Sequence, residues 1–300
     1  MIHDIDDLTR LIAAHRARGD ARLRNLMLDW RGATNGPAFL RALNIPAPHA
    51  ARVISEILHA SGIRALTLID AEYPARIKHF LRNGAPPVIY FRGAWKLIKE
   101  PSVSIIGTRR PAASGAASAR AYAAALVAAG RAVASGNARG IDAAAHEGAL
   151  EAGGATIVFP PTPIDSYEPS FHVHAGGKRV LVVSGFVPGL ETELWHFQAR
   201  NQLVAAHAGA AIVAETGARG GTLNTVGRAR AYGRPLFVVK VPRDSPRAFA
   251  HGQLAAGGAE MIPPMPGAAI MRQIVNRADE PMTDALDDTA HDFFPSDAAS

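Results

Sequence analysis

The sequence predicts an α/β protein, a Rossmann-like, doubly wound and mostly parallel sheet preceded by a small helical domain. Three observations predict it. Between Val103 and Val239, short apolar runs alternate with helix-forming segments, the pattern of parallel strands joined by crossover helices. Several of these runs stop at glycine-rich turns that open the next helix. Before residue 60 the apolar residues recur at helical spacing instead.

The elements follow in chain order. Leu8, Leu11 and Ile12, then Leu23, Leu26 and Met27, then Val53, Ile54, Ile57 and Leu58 mark helices, with breaks expected at residues 32–37 and 45–48, where Gly and Pro cluster. Residues 63–100 lead into the core, and Val88 to Phe91 is an apolar strand after Pro86-Pro87. Val103 to Ile106 is the first core strand, followed by an alanine-rich helix over 116–129. Ala132 to Ala134 is a second strand, with a helix from Ile141 to about Glu151. Ala155 to Phe159, Arg179 to Val183, Ala210 to Glu215 and Pro235 to Val239 complete the strands, the last of them closing the core. Helices are expected around 195–205 and over 223–232. Residues 170–178, with Gly176-Gly177, form helix poorly. The domain boundaries expected are 1–62 for the helical part, 63–265 for the core and 266–300 for a C-terminal segment with an acidic, disordered tail.

Composition narrows the function. Hydrophobic content of 48% and charged content of 19% suit a folded globular chain. With no cysteine there is no disulfide, thiol chemistry or cysteine–zinc site, which permits a cytoplasmic location. The acidic start, residues 1–7, lacks the basic and apolar regions of a signal peptide, and no apolar run approaches the ~20 residues of a membrane span. The net charge of +6 is uneven: residues 1–277 hold all 32 Lys and Arg and 19 of the 26 acids, so the body carries +13 and the remainder −7. A basic body suits a polyanionic partner. Phe293-Phe294 lies inside the acidic tail, and such a segment is able to compete with a nucleic acid for a basic groove.

The candidate site lies at the turns. Gly107, Thr108, Arg109 and Arg110 follow the first core strand. Ser135, Gly136, Arg139 and Gly140 follow the second, and Gly220, Gly221 and Thr222 follow the strand ending at Glu215. In an open parallel sheet the carboxyl ends of neighbouring strands face one crevice. Helix N-termini and arginine at such turns attract phosphate. The glycines are expected to let backbone approach the ligand. Neither a G-x-G-x-x-G fingerprint nor a P-loop occurs, so no nucleotide cofactor is expected. His172 and His174 alternate, but no acid or thiol accompanies them, so a surface loop is read there and no metal site. Phe197, Arg200 and Asn201 put an aromatic face beside a cation, the pair that single-stranded nucleic acid uses. By themselves these residues read equally as a core phenylalanine and a surface arginine.

Two motifs carry a family resemblance. Ser104-Ile105-Ile106-Gly107-Thr108-Arg109, and the run from Ser135 to His146, resemble the DNA-processing protein A (DprA, or Smf) family. Asp70, Tyr73, Pro74, Pro86, Pro87 and Gly93 match its lead-in, and Phe197, Arg200, Asn201 and Ala205 match its F-x-x-R-N-R-x-x-A pattern, with Gln202 in place of the second arginine. Pro160 and Pro161 stand where the family has glycines. The resemblance implies a Rossmann-like core, single-stranded DNA binding, assistance in loading the RecA recombinase during natural transformation, and a homodimer. It also implies that Arg109, Arg139 and Arg200 hold phosphates, that Phe197 and Asn201 touch the strand, and that no residue is catalytic. Too few residues follow the core for the winged helix of many members.

The alternative is a nucleoside monophosphate phosphoribohydrolase-like enzyme of the same broad superfamily. Gly221-Thr222 match its pattern G-G-x-G-T-x-x-E, but Thr225 stands where the glutamate belongs, and a hydroxyl does not ionise near neutral pH. Asp142 and His146, four residues apart on one helix face, are placed to serve as an acid/base pair. Asp142 reads more simply as the acid that orders the helix N-terminus.

Overall fold

Strand β3 (Ser102–Gly107) is the axis of the molecule, because sequence order reverses on either side of it. The computed structural model describes residues 2, 4–29, 35–43, 48–172 and 179–281. Toward one edge β3 pairs with β4 (Ala132–Gly136), then β5 (Thr156–Phe159) and β6 (Val180–Ser184). Toward the other it pairs with β7 (Ala210–Glu215), then β8 (Leu236–Val239) and β9 (Glu260–Ile262). These seven strands are parallel. β1 (Arg64–Thr67) and β2 (Val88–Gly93) extend the β6 edge in antiparallel fashion. The doubly wound sheet is the fold expected from the strand–helix alternation.

Period-two alternation sorts the strand residues between two cores. Val103, Ile105, Ile212, Phe237 and Val239 point to one face. They pack under α5 (Ala113–Ala128), α6 (Ile141–Glu151) and α10 (Ala268–Ala278). Ile106, Ala134, Ile157, Val213 and Val238 point to the other face, under α7 (Leu194–His207), α8 (Gly221–Ala231) and α9 (Ala248–Ala256). This second cluster continues without a break into α1 (Ile5–Asp29), α2 (Gly36–Leu43) and α3 (His49–Ala60).

The lead-in residues are structural. Before α4 (Ala75–Leu81), Asp70 accepts the backbone N–H of Thr67 at 2.7 Å and of Gly36 at 3.2 Å, tying the helical region to β1. The Tyr73 hydroxyl donates to the Pro86 carbonyl at 2.7 Å. His15 in α1 meets the Tyr90 hydroxyl of β2 at 3.1 Å.

Several expectations need correction. The last core strand is β9, which follows β8 and is too short, at three residues, to stand out from the sequence. Gly36 and Pro37, expected in a break, open α2, where proline's missing N–H costs nothing in the first helical turn. α5 begins at Ala113 and α8 at Gly221, each a few residues before the expected start. His174, most of the 32–37 and 45–48 breaks, and the tail beyond Pro281 lie outside the described residues.

α10 lies beyond residue 265, and its Met271, Ile274 and Ala278 are buried in the core beneath α5. Replacing the fully buried Ile274 by alanine should therefore lower global stability by about 2–5 kcal/mol in equilibrium urea unfolding. A change of less than about 0.5 kcal/mol, the size typical of surface positions, would separate α10 from the cooperative core.

Candidate functional site

The parallel register sets the carboxyl ends of the central strands side by side. Gly107 of β3 lies beside Glu215 of β7, and Gly136 of β4 beside Phe159 of β5. The turns that follow are wired to each other through one residue. Thr108 donates its N–H to the Glu215 carbonyl at 2.8 Å, and its own carbonyl accepts the N–H of Ile141 at 3.2 Å. The result is a cleft of about 530 Å³ at the point where strand order reverses, the place where ligands enter open α/β sheets. An adjoining recess of about 600 Å³ shares Arg109, Arg110, Ala138, Phe197 and Arg200 with it.

The expected residues separate into three groups. Gly107, Thr108, Arg109, Arg110, Gly136, Phe197, Arg200, Asn201, Gly220, Gly221 and Thr222 line the cleft, bringing all three turns and α7 together. Arg139 lines the adjoining recess. Ser135 and Gly140 line neither: the Ser135 hydroxyl donates to the Ile105 carbonyl at 2.6 Å, and Gly140 caps α6.

The glycines act differently from the expectation. A Cβ on Gly136 would collide with the Arg200 guanidinium, and one on Gly140 would lie 2.5 Å from the Thr108 carbonyl oxygen. Gly140 also has φ +83°, a left-handed conformation that other residues adopt at a cost. Here the missing side chains make room for the protein itself. Gly221 does face open space, with the Asn201 amide nitrogen 3.8 Å from its Cβ position.

Arg200 is buried beneath the cleft rather than projecting from it. Its Nη1 donates to the Phe159 carbonyl at 3.1 Å and its Nε to Asn201 Oδ1 at 3.1 Å, and Asp142 lies 4.0 Å away. Burial pushes the Asp142 carboxyl above its ordinary range, against the opposing pull of Arg200 and the Ala138 backbone. Asn201 in turn donates to the Gly221 carbonyl at 3.3 Å, so α7 braces the end of β5 on one side and the start of α8 on the other. By contrast Arg109, Arg110, Arg139 and Arg219 are exposed. The Arg109 guanidinium lies 5.4 Å from the centroid of the half-buried Phe197 ring.

Asp142 and His146 do not form a working acid/base pair in this geometry. His146 is fully buried, its Nε2 donating to the Gly136 carbonyl and its Nδ1 meeting the Thr156 hydroxyl, both at 2.6 Å. Thr225 is also buried, its hydroxyl 3.4 Å from the Gly221 carbonyl. Several residues of the cleft region were not among those expected, chief among them Arg247, which lines the cleft from the start of α9, and Glu215. Glu215 accepts the Ala112 N–H at 3.1 Å and the Arg247 Nε at 3.4 Å. A carboxylate at the end of a wholly apolar strand was its available signal. Arg247 had none, being remote in sequence from every turn.

Burial lowers the His146 pKa to about 4. The unfolded chain takes up this proton near pH 6.5, so the neutral ring contributes its stability in full above that pH. The contribution is lost as pH falls through 6.5 toward 4. Replacing His146 by glutamine should flatten the decline in urea midpoint between pH 6.5 and 4.5. Parallel declines in the two proteins would show that His146 does not govern the acid limb.

Comparison with known proteins agrees with this architecture. A family model for DNA recombination-mediator protein A matches residues 64–273. A putative DNA processing protein DprA of Mycobacterium tuberculosis is 34% identical over 221 residues, 69% of this chain and 57% of that protein. The DNA processing protein DprA of Streptococcus pneumoniae is 33% identical over 178 residues, 58% of this chain and 62% of that one. The chain thus spans less than two thirds of the length of these relatives. The X-ray structure of the Streptococcus pneumoniae DprA superimposes with a TM-score of 0.61 at 26% identity, covering 87% of this chain and 90% of that one. DNA processing protein A of Helicobacter pylori, whose structure concerns its single-stranded DNA binding mode, gives a TM-score of 0.57 at 25% identity, covering 72% and 96%. The fold, the motifs at the first two turns and the extent of the match place the chain in the DNA recombination-mediator protein A family.

Proposed function

We propose that the cleft and its adjoining recess bind single-stranded DNA, and that the protein acts by binding rather than by catalysis. The observation that carries this reading is the ring of Phe197 set at the cleft beside exposed Arg109, with Arg110 and Arg139 along the same recess. A base-stacking face next to a row of solvent-facing cations suits a flexible phosphate chain, since every base has a π-face and every nucleotide a charge. The relative from Helicobacter pylori, with its single-stranded DNA binding mode, supports the same ligand. Assistance in loading RecA, action during DNA uptake or recombination, a homodimer and a cytoplasmic location extend this reading from the family. Among the described residues no helix is long and apolar enough to cross a membrane.

The hydrolase alternative finds little support in the cleft. Its expected carboxylate is replaced by the buried Thr225, and Asp142 is held against Arg200 beneath the surface. Purified protein should release no base from nucleoside monophosphates or NAD. Steady turnover that disappears in Asp142→Asn would overturn the binding-only reading.

Binding to a labelled oligonucleotide, followed by fluorescence anisotropy across a salt series, tests the assignment of roles. Arg109→Ala and Arg139→Ala should each make the slope of log K against log salt shallower by about 0.7, with weaker binding to all sequences alike. Phe197→Ala should weaken binding by about 1–3 kcal/mol with the slope unchanged, because stacking is not electrostatic. Arg200→Ala should act on folding, costing about 3–5 kcal/mol by stranding Asp142 in the interior. Wild-type slope and affinity in both arginine variants would remove this cleft as the DNA site.

A further inference from the structure

The end of the sheet opposite the cleft carries a second concentration of arginine. β7 and β8 begin there, and two adjoining hollows of about 250 Å³ each share Gly233, Arg234, Pro235 and Arg277. Arg230 lines the outer hollow together with one acid, Glu260, whose carboxylate accepts from the Gln273 side-chain amide. Arg234 is buried, with its guanidinium 4.0 Å from the centroid of the Phe80 ring. Its Nε has no hydrogen-bond partner among the described residues. Burial, together with the nearby charge of Arg76, lowers its pKa to about 10. Arg230 and Arg234 donate to the carbonyls of Leu254 and Ala206 and, among the described residues, to no carboxylate.

The chain itself begins to supply counter-charge at this end. α10 stops at Ala278, and the next two residues are acids already seated on arginines: Asp279 on Arg131, and Glu280 on Arg277 at 2.8 Å. Glu280 and Pro281 then line the inner hollow. Beyond Pro281 the sequence holds Asp284, Asp287, Asp288, Asp292 and Asp297 and neither lysine nor arginine.

We propose that residues 282–300 dock in cis on this arginine-lined groove, continuing the run of ion pairs that Asp279 and Glu280 start. Asp284 is three residues and Asp288 seven residues past Pro281, a reach of roughly 10–25 Å at about 3.3 Å per residue. The candidate DNA cleft lies at the far ends of the strands, about 20 Å away for a six-residue strand, within reach of the later acids. The groove, however, adjoins Pro281 and so meets the first of them at the higher effective concentration. Single exposed ion pairs are weak and salt-sensitive. Tethering compensates by holding the acids at an effective concentration on the order of millimolar. Docking here neutralises one end of a basic body and leaves the other end free for a polyanion.

The test uses a fluorescein-labelled peptide of residues 282–300 and full-length proteins at low salt. The unaltered chain should bind the peptide poorly, because its own segment occupies the groove. The triple variant Asp284→Asn, Asp287→Asn, Asp288→Asn should bind it at least about tenfold more tightly. Adding Arg230→Gln and Arg277→Gln should remove that gain, while urea midpoints report whether each variant is folded. A saturating oligonucleotide should leave the peptide bound. Equal binding by the unaltered and neutralised chains would overturn the proposal. So would displacement of the peptide by the oligonucleotide, or loss of the gain on adding Arg109→Ala to the triple variant. Either result would place the segment on the DNA cleft instead.

Discussion

The peptide groups flanking Thr108 are the constraint on which the candidate site depends. Its N–H reaches the end of β7 and its carbonyl receives the first N–H of α6. Through this one residue the turn after β3 is joined to the turn after β4 and to the end of β7. The carbonyl of Thr108 also lies where a side chain on Gly140 would stand, so the close approach of the first two turns is built on glycine's left-handed backbone. The exposed arginines project from this joined framework, and their spacing is inherited from parallel strand register.

Beneath the turns lies a layer of buried polar groups. Arg200, Asp142, Asn201 and His146 are bonded or paired to backbone or to one another, and each spans a gap between elements. Buried charge is costly unless paired and hydrogen-bonded, and Arg200 meets that condition through Phe159, Asn201 and Asp142. The division of labour among arginines follows from burial. Those inside hold the turns, and those outside face solvent along the cleft and its recess.

The charge asymmetry of the chain acquires a spatial meaning in the fold. α10 stops at the end of the sheet opposite the turns, so the acidic residues that follow begin beside Arg131 and Arg277. Basic surface is therefore present at both ends, but counter-charge from the residues after α10 starts at one. A uniformly basic body would attract polyanions indiscriminately.

The sequence by itself determined the doubly wound sheet, the three turns and most of the residues around the cleft. Apolar periodicity and glycine placement are local properties, written within a few residues of each element. The S-G-N-A-R-G-I-D segment needed no partner to be noticed. Tertiary structure alone decided which way the conspicuous residues face. Arg200 and Arg139 look alike in sequence, yet one is roofed by Gly136 and the other is open to solvent. His146 follows Asp142 by one helical turn, yet it is closed in by Thr156 from β5. The pairing of β9 with β8 and of Arg247 with Glu215 exists only where segments distant in sequence are adjacent in space. Burial and the bonds of Arg200 to Phe159, Asn201 to Gly221 and Arg247 to Glu215 depend on contacts between remote segments, and no short window along the chain contains both partners.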